Sequence, residues 1–369
     1  MSAPNIPPGF DFTDPDLCVQ RVPAEELAEL RRAAPVWWSQ QPRGAGGFDD
    51  DGYWAVTRHA DVLQVSRHSE LFSSEANTAL IRYAQPVTEE SLQMSRLILL
   101  NRDPPGHTKL RGIVSRGFTP RAIGSLRQAL ADRAGQIVAA AAADGTGDFV
   151  TDVACELPLQ AIAELLGIPQ QDRRKIFEWT NQLVGSDDPE YQTETMTAGA
   201  ELVGYSLQLA EERRASPRDD IVSKLIRADV DGEALSTDEF GWFMILLAVA
   251  GNETTRNAIS HGMLALLDHP EQWALFKDQR PATAVDEIVR WATPVTVFQR
   301  TALADTVLGG QQIKAGQRVG IFYRSANFDE EVFDRPEEFD ILRSPNPHLG
   351  FGGMGAHYCL GANLARLEI

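Results

Sequence analysis

The stretch from Ser236 to Asp268 constrains this chain more than any other. Ser236-Thr237-Asp238-Glu239 places a serine at a helix N-cap and a glutamate three residues later, the pattern of a capping box. The residues after it are strongly apolar and helical in spacing until His269-Pro270 stops them, because proline cannot continue a helix. About 30 residues at the usual rise span ~45 Å. A helix this long and this apolar has to run through the middle of a domain, with the rest of the chain packed around it. Within it, Ala250-Gly251-Asn252-Glu253-Thr254-Thr255 interrupts the pattern. Gly251 weakens the helix by up to ~1 kcal/mol relative to alanine, and an acid and an alcohol stand mid-helix. On the residues alone this is a kink, with a threonine bonding back to the carbonyl four residues earlier.

The remaining segments are mostly helical too. A helix is expected over 22–34, a strand over 53–57, a helix over 58–66 and a short turn over 69–72. Residues 75–100 give mixed signals and read as a mobile surface segment with short helices. From Pro120 to Arg214 the pattern is almost all helix, broken at 144–147, 167–169 and 185–189, and another helix is expected over 219–228. Strand alternation recurs at 296–300, 305–308 and 317–323, with a turn at 314–317 between the last two. The 369 residues allow one large or two modest domains, and the net charge of −18 argues against nucleic acid or an anionic membrane as a partner. Cys18, Cys155 and Cys359 are too few and too far apart for a disulfide framework or a zinc site. The N-terminus has no apolar signal region and no run is long enough to span a bilayer. These features point to a cytoplasmic chain without a stable membrane anchor.

Chemistry concentrates in 348–366, HLGFGGMGAHYCLGANLAR. Leu360 onward has helical spacing, so Cys359 falls at a helix N-terminus. There unpaired amides and the helix dipole favour a thiolate. The glycines allow a tight backbone to fold back toward the sulfur, and Gly361 leaves room for a flat ligand. A thiolate held this way suits the axial position of a haem iron; the plainer reading is a buried, inert cysteine. Two pairs stand out elsewhere. After Asp103-Pro104-Pro105, read as an acceptor cap with proline at the first helical positions, His107 and Arg111 share a helix face and both donate hydrogen bonds. Glu287 and Arg290, three apart on a helix ending before Pro294, form an ion pair that is superficial or buried.

Phe351-Gly352-Gly353-Met354-Gly355-Ala356-His357-Tyr358-Cys359-Leu360-Gly361 resembles the haem-binding loop of the cytochrome P-450 superfamily. The resemblance extends over essentially the whole chain. It implies a mainly α fold with small β-sheets, a single domain whose long central helix lies over haem b, and an iron ligated by Cys359. It also implies propionate contacts from His107, Arg111, Arg300 and His357, with Phe351, Gly352, Gly361, Ala250 and Gly251 against the cofactor. Glu253 and Thr254 match the oxygen-activation motif, in which they relay protons. Glu287 and Arg290 match the family's buried E-x-x-R pair. Its third partner stays open between Arg335 and Arg343, because the arginine usual before the phenylalanine is Glu338 here. Family chains run several dozen residues beyond position 369, so the C-terminal part is expected to be missing.

More specific runs, PPGFDFTDP at 7–15, SRGFTPRAIG at 115–124, AVAGNETTRN at 248–257 and FYRSANFDEEVF at 322–333, are similar to actinobacterial steroid side-chain monooxygenases. That subgroup hydroxylates the terminal methyl (C26/C27) of cholesterol and cholest-4-en-3-one with O2 and electrons from a ferredoxin and its reductase. The implied substrate funnel draws on Asn77, Ile81, Leu246, Val249, Ala250, Val295, Thr296 and Phe298, residues that pack the core on the alternative reading. Lys109, Arg116 and Arg121 are candidate contacts for an acidic ferredoxin. The competing expectations are an omega-hydroxylase of methyl-branched lipids, a peroxide-driven enzyme, a non-catalytic haem protein and an inactive fragment. Retention of Glu253 and Thr254 disfavours the peroxide-driven and non-catalytic readings.

Overall fold

The computed structural model describes residues 4–185, 195–218, 220–227 and 235–369, with backbone alone at Cys18, Asp144, Thr195 and Met196. The chain forms two compact units. One comprises Met1–Arg96, Leu100–His107 and His269–Cys359; the other comprises Leu97–Leu99, Thr108–Asp268 and Leu360–Ile369.

The first unit is built on a five-stranded sheet in the order β1 (Val36–Gln40), β2 (Gly52–Val56), β7 (Arg318–Phe322), β4 (Val297–Ala302), β3 (Phe72–Ser73). β2 and β7 run parallel, with Ala55 opposite Gly320; the other pairs are antiparallel, and Arg300 of β4 stands opposite Val319. β7 is buried throughout, as a strand with neighbours on both sides requires. Its one cation, Arg318, is neutralised by both carboxylate oxygens of Asp50 at 2.6 and 2.8 Å and lies over the Phe48 ring at 4.0 Å. β5 (Thr306–Leu308) and β6 (Gln311–Ile313) form a separate hairpin around Gly309 and Gly310, both at positive φ.

Several expectations shift here. β1 and β6 were not foreseen; Val36-Trp37-Trp38 is apolar without clean alternation. The expected turn at 69–72 closes into β3 at its last residue. Part of 75–100 is not surface: Thr78, Ala79 and Ile81 are buried, although Leu80 between them is exposed. The Asn101 amide oxygen accepts the Ala79 N–H, and Gln299 N–H donates to the Ala79 carbonyl.

The second unit is helical. Its long helix is Thr237–Asp268, as expected, and its capping box is complete: Glu239 N–H donates to Ser236 Oγ and Ser236 N–H to a Glu239 carboxylate oxygen, at 3.1 and 3.0 Å. Helices Glu156–Leu166, Arg173–Val184, Thr195–Ala215 and Ala362–Glu368 pack against it. The helix expected over 219–228 is Ile221–Ile226, capped by the Asp220 side chain; residues 219 and 228 and the break beyond 185 lie outside the described residues. Among the described residues no helix is long and apolar enough to cross a membrane.

Candidate active site

The cysteine loop belongs to the first unit. Gly352 takes a φ of +95°, a backbone state that glycine adopts without strain. Cys359 N–H donates to the Phe351 carbonyl at 2.9 Å, and Gly352 N–H to the Leu349 carbonyl at 2.9 Å, so the chain folds back on itself. The loop rests on helix His59–Arg67: a Cβ at Gly355 would stand 1.8 Å from the Ser66 carbonyl oxygen, and one at Gly353 2.3 Å from Ser66 Cβ. Only glycine lets the backbones approach this closely. The outcome is an exposed Cys359 thiol, the opposite of a buried structural cysteine. Cys155, by contrast, is buried, and its thiol is pushed up to about 11 chiefly by burial. The following helix begins at Ala362 with Gly361 at its N-cap, later than the Leu360 start expected from spacing.

Near the loop in sequence or space lie the predicted anion donors. The His107 and His357 rings are 4.3 Å apart, and Ser74 Oγ lies 3.2 Å from His357 Nε2. Asp103 organises this corner. Its carboxylate accepts from Ser74 N–H at 2.8 Å and from Ser73 Oγ–H, and its carbonyl accepts from His107 N–H at 2.8 Å. Asp103 therefore does not cap its helix through the side chain, which is committed to β3. The helix starts at Gly106, beyond both prolines. Arg111 lies four residues after His107 on that helix, half-buried.

Arg300 is the informative residue. Arg300 is 3% exposed, and its one side-chain hydrogen bond among the described residues is from Nη1 to the carbonyl of its neighbour Gln299 at 2.6 Å. No carboxylate pairs with it among the described residues, and burial lowers its pKa below the ordinary guanidinium value. A buried cation without a counter-ion is costly. This donor set, an unpaired buried guanidinium, paired imidazoles and an exposed thiol in one unit, fits a dianionic porphyrin with a thiolate-ligated iron.

On the long helix, Thr254 Oγ donates to the Ala250 carbonyl at 2.6 Å, the back-bond expected of a kink. Gly251 packs closely against a neighbouring helix: a Cβ would lie 2.4 Å from Ile162 Cδ1. Glu253 pairs with Arg256, whose Nη1 reaches Asn181 at 3.5 Å, and burial raises the Glu253 carboxyl above its usual range against the pull of Arg256. Leu246, Val249, Ala250 and Glu253 are the less buried side of this segment, while Met244, Ile245, Ala248 and Asn252 are buried. That split leaves a helical face open along the predicted contacts.

Of the other substrate candidates, Val295 and Phe298 are half-buried and Thr296 is exposed. The Asn77 carbonyl accepts from Gln299 Nε2 at 3.2 Å. Ile81 packs in the core with Tyr53 and Phe322.

Glu287 and Arg290 are both fully buried and doubly bonded at 2.8 Å. The open choice of third partner resolves to Arg343, whose Nε lies 3.1 and 3.2 Å from the Glu287 oxygens. Arg335 is exposed and pairs with Asp334 and Glu338. Two further acids, the half-buried Asp103 and the buried Glu368, take roles that the sequence did not assign. Glu368 is 7% exposed, and burial pushes its carboxyl up to about 8 against a hydrogen bond from Thr255. Polar residues in short helices carry no sequence signal for burial of this kind.

Residues 282–369 match the family described as Cytochrome P450. The whole chain is 63% identical over 369 residues to a steroid C26-monooxygenase of Rhodococcus jostii, covering 78% of that protein. It is 46% identical over 353 residues, 93% of its own length, to a methyl-branched lipid omega-hydroxylase of Mycobacterium tuberculosis, covering 81% of it. A Mycobacterium marinum cytochrome P450 solved with pseudoionone superposes with a TM-score of 0.88 at 43% identity, over 99% of this chain and 91% of that one. The chain belongs to the cytochrome P450 family. Membership implies a haem-thiolate cofactor, O2, a redox partner and a lipophilic substrate.

Proposed function

We propose that this protein is a haem-thiolate monooxygenase that hydroxylates the terminal methyl of a steroid side chain, cholesterol or cholest-4-en-3-one. The observation that carries the reading is identity of 63% over the full chain to a steroid C26-monooxygenase, against 46% to a methyl-branched lipid omega-hydroxylase. The omega-hydroxylase remains the second reading, because both act at a chain terminus.

In this reading Cys359 is the iron ligand, and His107, Arg111, Arg300 and His357 hold the two propionates. Phe351, Gly352, Gly361, Ala250 and Gly251 lie against the ring. Bound haem supplies the oxidising power that an unreactive terminal C–H bond requires. Arg300 gives up little by binding a carboxylate, since among the described residues its side chain holds only the Gln299 carbonyl. Thr254 and Glu253 hold and pass protons, and the raised Glu253 carboxyl suits a donor. Leu246, Val249, Val295, Thr296, Phe298, Asn77 and Ile81 shape an apolar passage presenting the methyl end first. A ferredoxin and its reductase supply electrons, with the exposed Arg116 and Arg121, and Lys109, toward its acidic surface.

Spectra of the reduced protein with CO, followed by titration with cholest-4-en-3-one, test this. The expected results are a red-shifted thiolate Soret band, absent in Cys359→Ala, and a low-to-high-spin shift on adding steroid. A normal CO band without any steroid response, but with a response to a methyl-branched fatty acid, favours the second reading.

A further inference from the structure

We propose that the small cavity between helices Glu156–Leu166, Arg173–Val184 and Thr237–Asp268 is an internal water site, with Asn252, Arg173 and Thr180 as its ligands. All three line the same cavity, which offers about 10 Å3 of water-accessible space. That is room for one water molecule. Asn252 is 1% exposed, and neither its amide nitrogen nor its amide oxygen has a protein partner among the described residues. Arg173 Nε is buried and unpartnered in the same way, although its Nη1 donates to the Gln170 carbonyl at 2.9 Å. Thr180 is fully buried; its hydroxyl donates to the Phe177 carbonyl at 2.9 Å, which leaves its oxygen lone pairs free to accept. The rest of the wall is apolar, with Ile162, Ile168 and Ile176 among it.

An amide enclosed by isoleucines has lost its solvent and gained nothing in exchange, and native proteins meet such groups with a partner or an ordered water. One water complements Arg173 Nε–H and one atom of the Asn252 amide, while the other amide atom keeps no partner among the described residues. The water accepts from Arg173 Nε–H, donates to Thr180 Oγ and bonds one end of the Asn252 amide, three bonds in all, the usual number for an internal water. The site stands one residue after Gly251, where Ile162 closes on the long helix. The dry contact and the wet one thus lie side by side on the segment that carries Glu253 and Thr254. The water site rests on burial and bonding alone and does not depend on the activity.

High-resolution diffraction from crystals of the haem-loaded protein tests it directly. A peak within hydrogen-bonding distance of Arg173 Nε and the Asn252 amide is expected; a cavity without density, or an Asn252 turned onto a protein partner, overturns the site. Thermal unfolding of variants gives a second measure with opposite signs for the two cases. If the cavity is hydrated, Asn252→Leu strips a ligand from the water and lowers the midpoint by roughly 2–5 °C, while Asn252→Ser keeps a hydroxyl in the site and stays closer to the parent. If the cavity is dry, Asn252→Leu removes an unsatisfied amide, and an equal or higher midpoint overturns the proposal. Should Asn252→Leu fail to accumulate, Asn252→Ser and the parent density still decide.

Discussion

Two groups of buried charged and polar side chains behave in opposite ways. Around Glu287 each carboxylate oxygen accepts several bonds: Arg290 at 2.8 Å to each, Arg343 at 3.1 and 3.2 Å, the Asp340 amide at 2.9 Å and Asn346 at 3.1 Å. Arg290 spends its remaining donors on the carbonyls of Asn327, Pro336 and Glu338. Around Asn252 and Glu253, the Asn252 amide, Glu253 Oε1 and Arg256 Nε are buried without protein partners among the described residues. A closed network leaves no lone pair unused and fixes a shape. An open one leaves bonding capacity for something that is not protein. The first group holds up the cysteine loop's unit; the second leaves buried polar atoms on the long helix unmatched among the described residues.

The largest effect expected from this contrast comes from breaking the closed network. Glu287→Ala strands two buried guanidinium groups, a loss of about 3–5 kcal/mol, and denaturation should show little stable protein. Glu338→Ala is the control, because only its carbonyl serves the network while its exposed side chain binds Arg335; a change within about 0.5 kcal/mol is expected. Comparable losses for the two would dissolve the distinction.

In the open region the effect moves from stability to chemistry. Thr254→Ala removes one back-bond to Ala250, so unfolding should barely change. Product formation per electron should fall by about 10²-fold or more if the hydroxyl handles protons, with the electrons appearing as peroxide. Unchanged coupling of electrons to product would remove Thr254 from the mechanism.

Packing separates the regions a third way. Alanine in place of Gly251 gains up to ~1 kcal/mol of helix propensity but drives a methyl into Ile162 Cδ1, at a typical cost of about 1–3 kcal/mol. Gly251→Ala is therefore expected to destabilise the parent and to be neutral or better in an Ile162→Ala background. A double-mutant cycle by chemical denaturation checks this; a stabilised single variant would show that helix propensity, not close approach, decides the position.

The sequence was most legible where physics is local. Ser236 and Glu239 declared the start of the long helix, and His269-Pro270 its end, because caps and proline act within a turn. The glycines around Cys359 were legible for the same reason, although the bed they rest on, Ser66, was not. Long-range pairings had no local trace. Arg335 and Arg343 are alike in sequence, and only the loop path after Phe339 turns one toward Glu287 and the other to solvent. Asn252 looks like an ordinary polar residue beside Glu253, and Asp103 like a helix cap. Burial of a polar group depends on which element arrives opposite it, a tertiary fact that periodicity does not carry.

Glu368 lets the contrast be read as a function of pH. Its carboxyl titrates at about 8 in the folded chain against an ordinary 4.5, because burial disfavours the anion. Unfolded chain releases this proton above pH 4.5, whereas folded chain keeps it until about pH 8. Between those values the unfolded state binds fewer protons, so stability falls as pH rises, by at most about 1.4 kcal/mol per pH unit. Below the window the group is neutral in both states and costs nothing. Glu368→Gln keeps the shape without the titration, so parent and variant should unfold alike near pH 4 and diverge toward pH 8, with the variant the more stable. Parallel curves across that range would mean that water or a cation reaches Glu368, and that the second unit satisfies its buried acids as fully as the first satisfies Glu287.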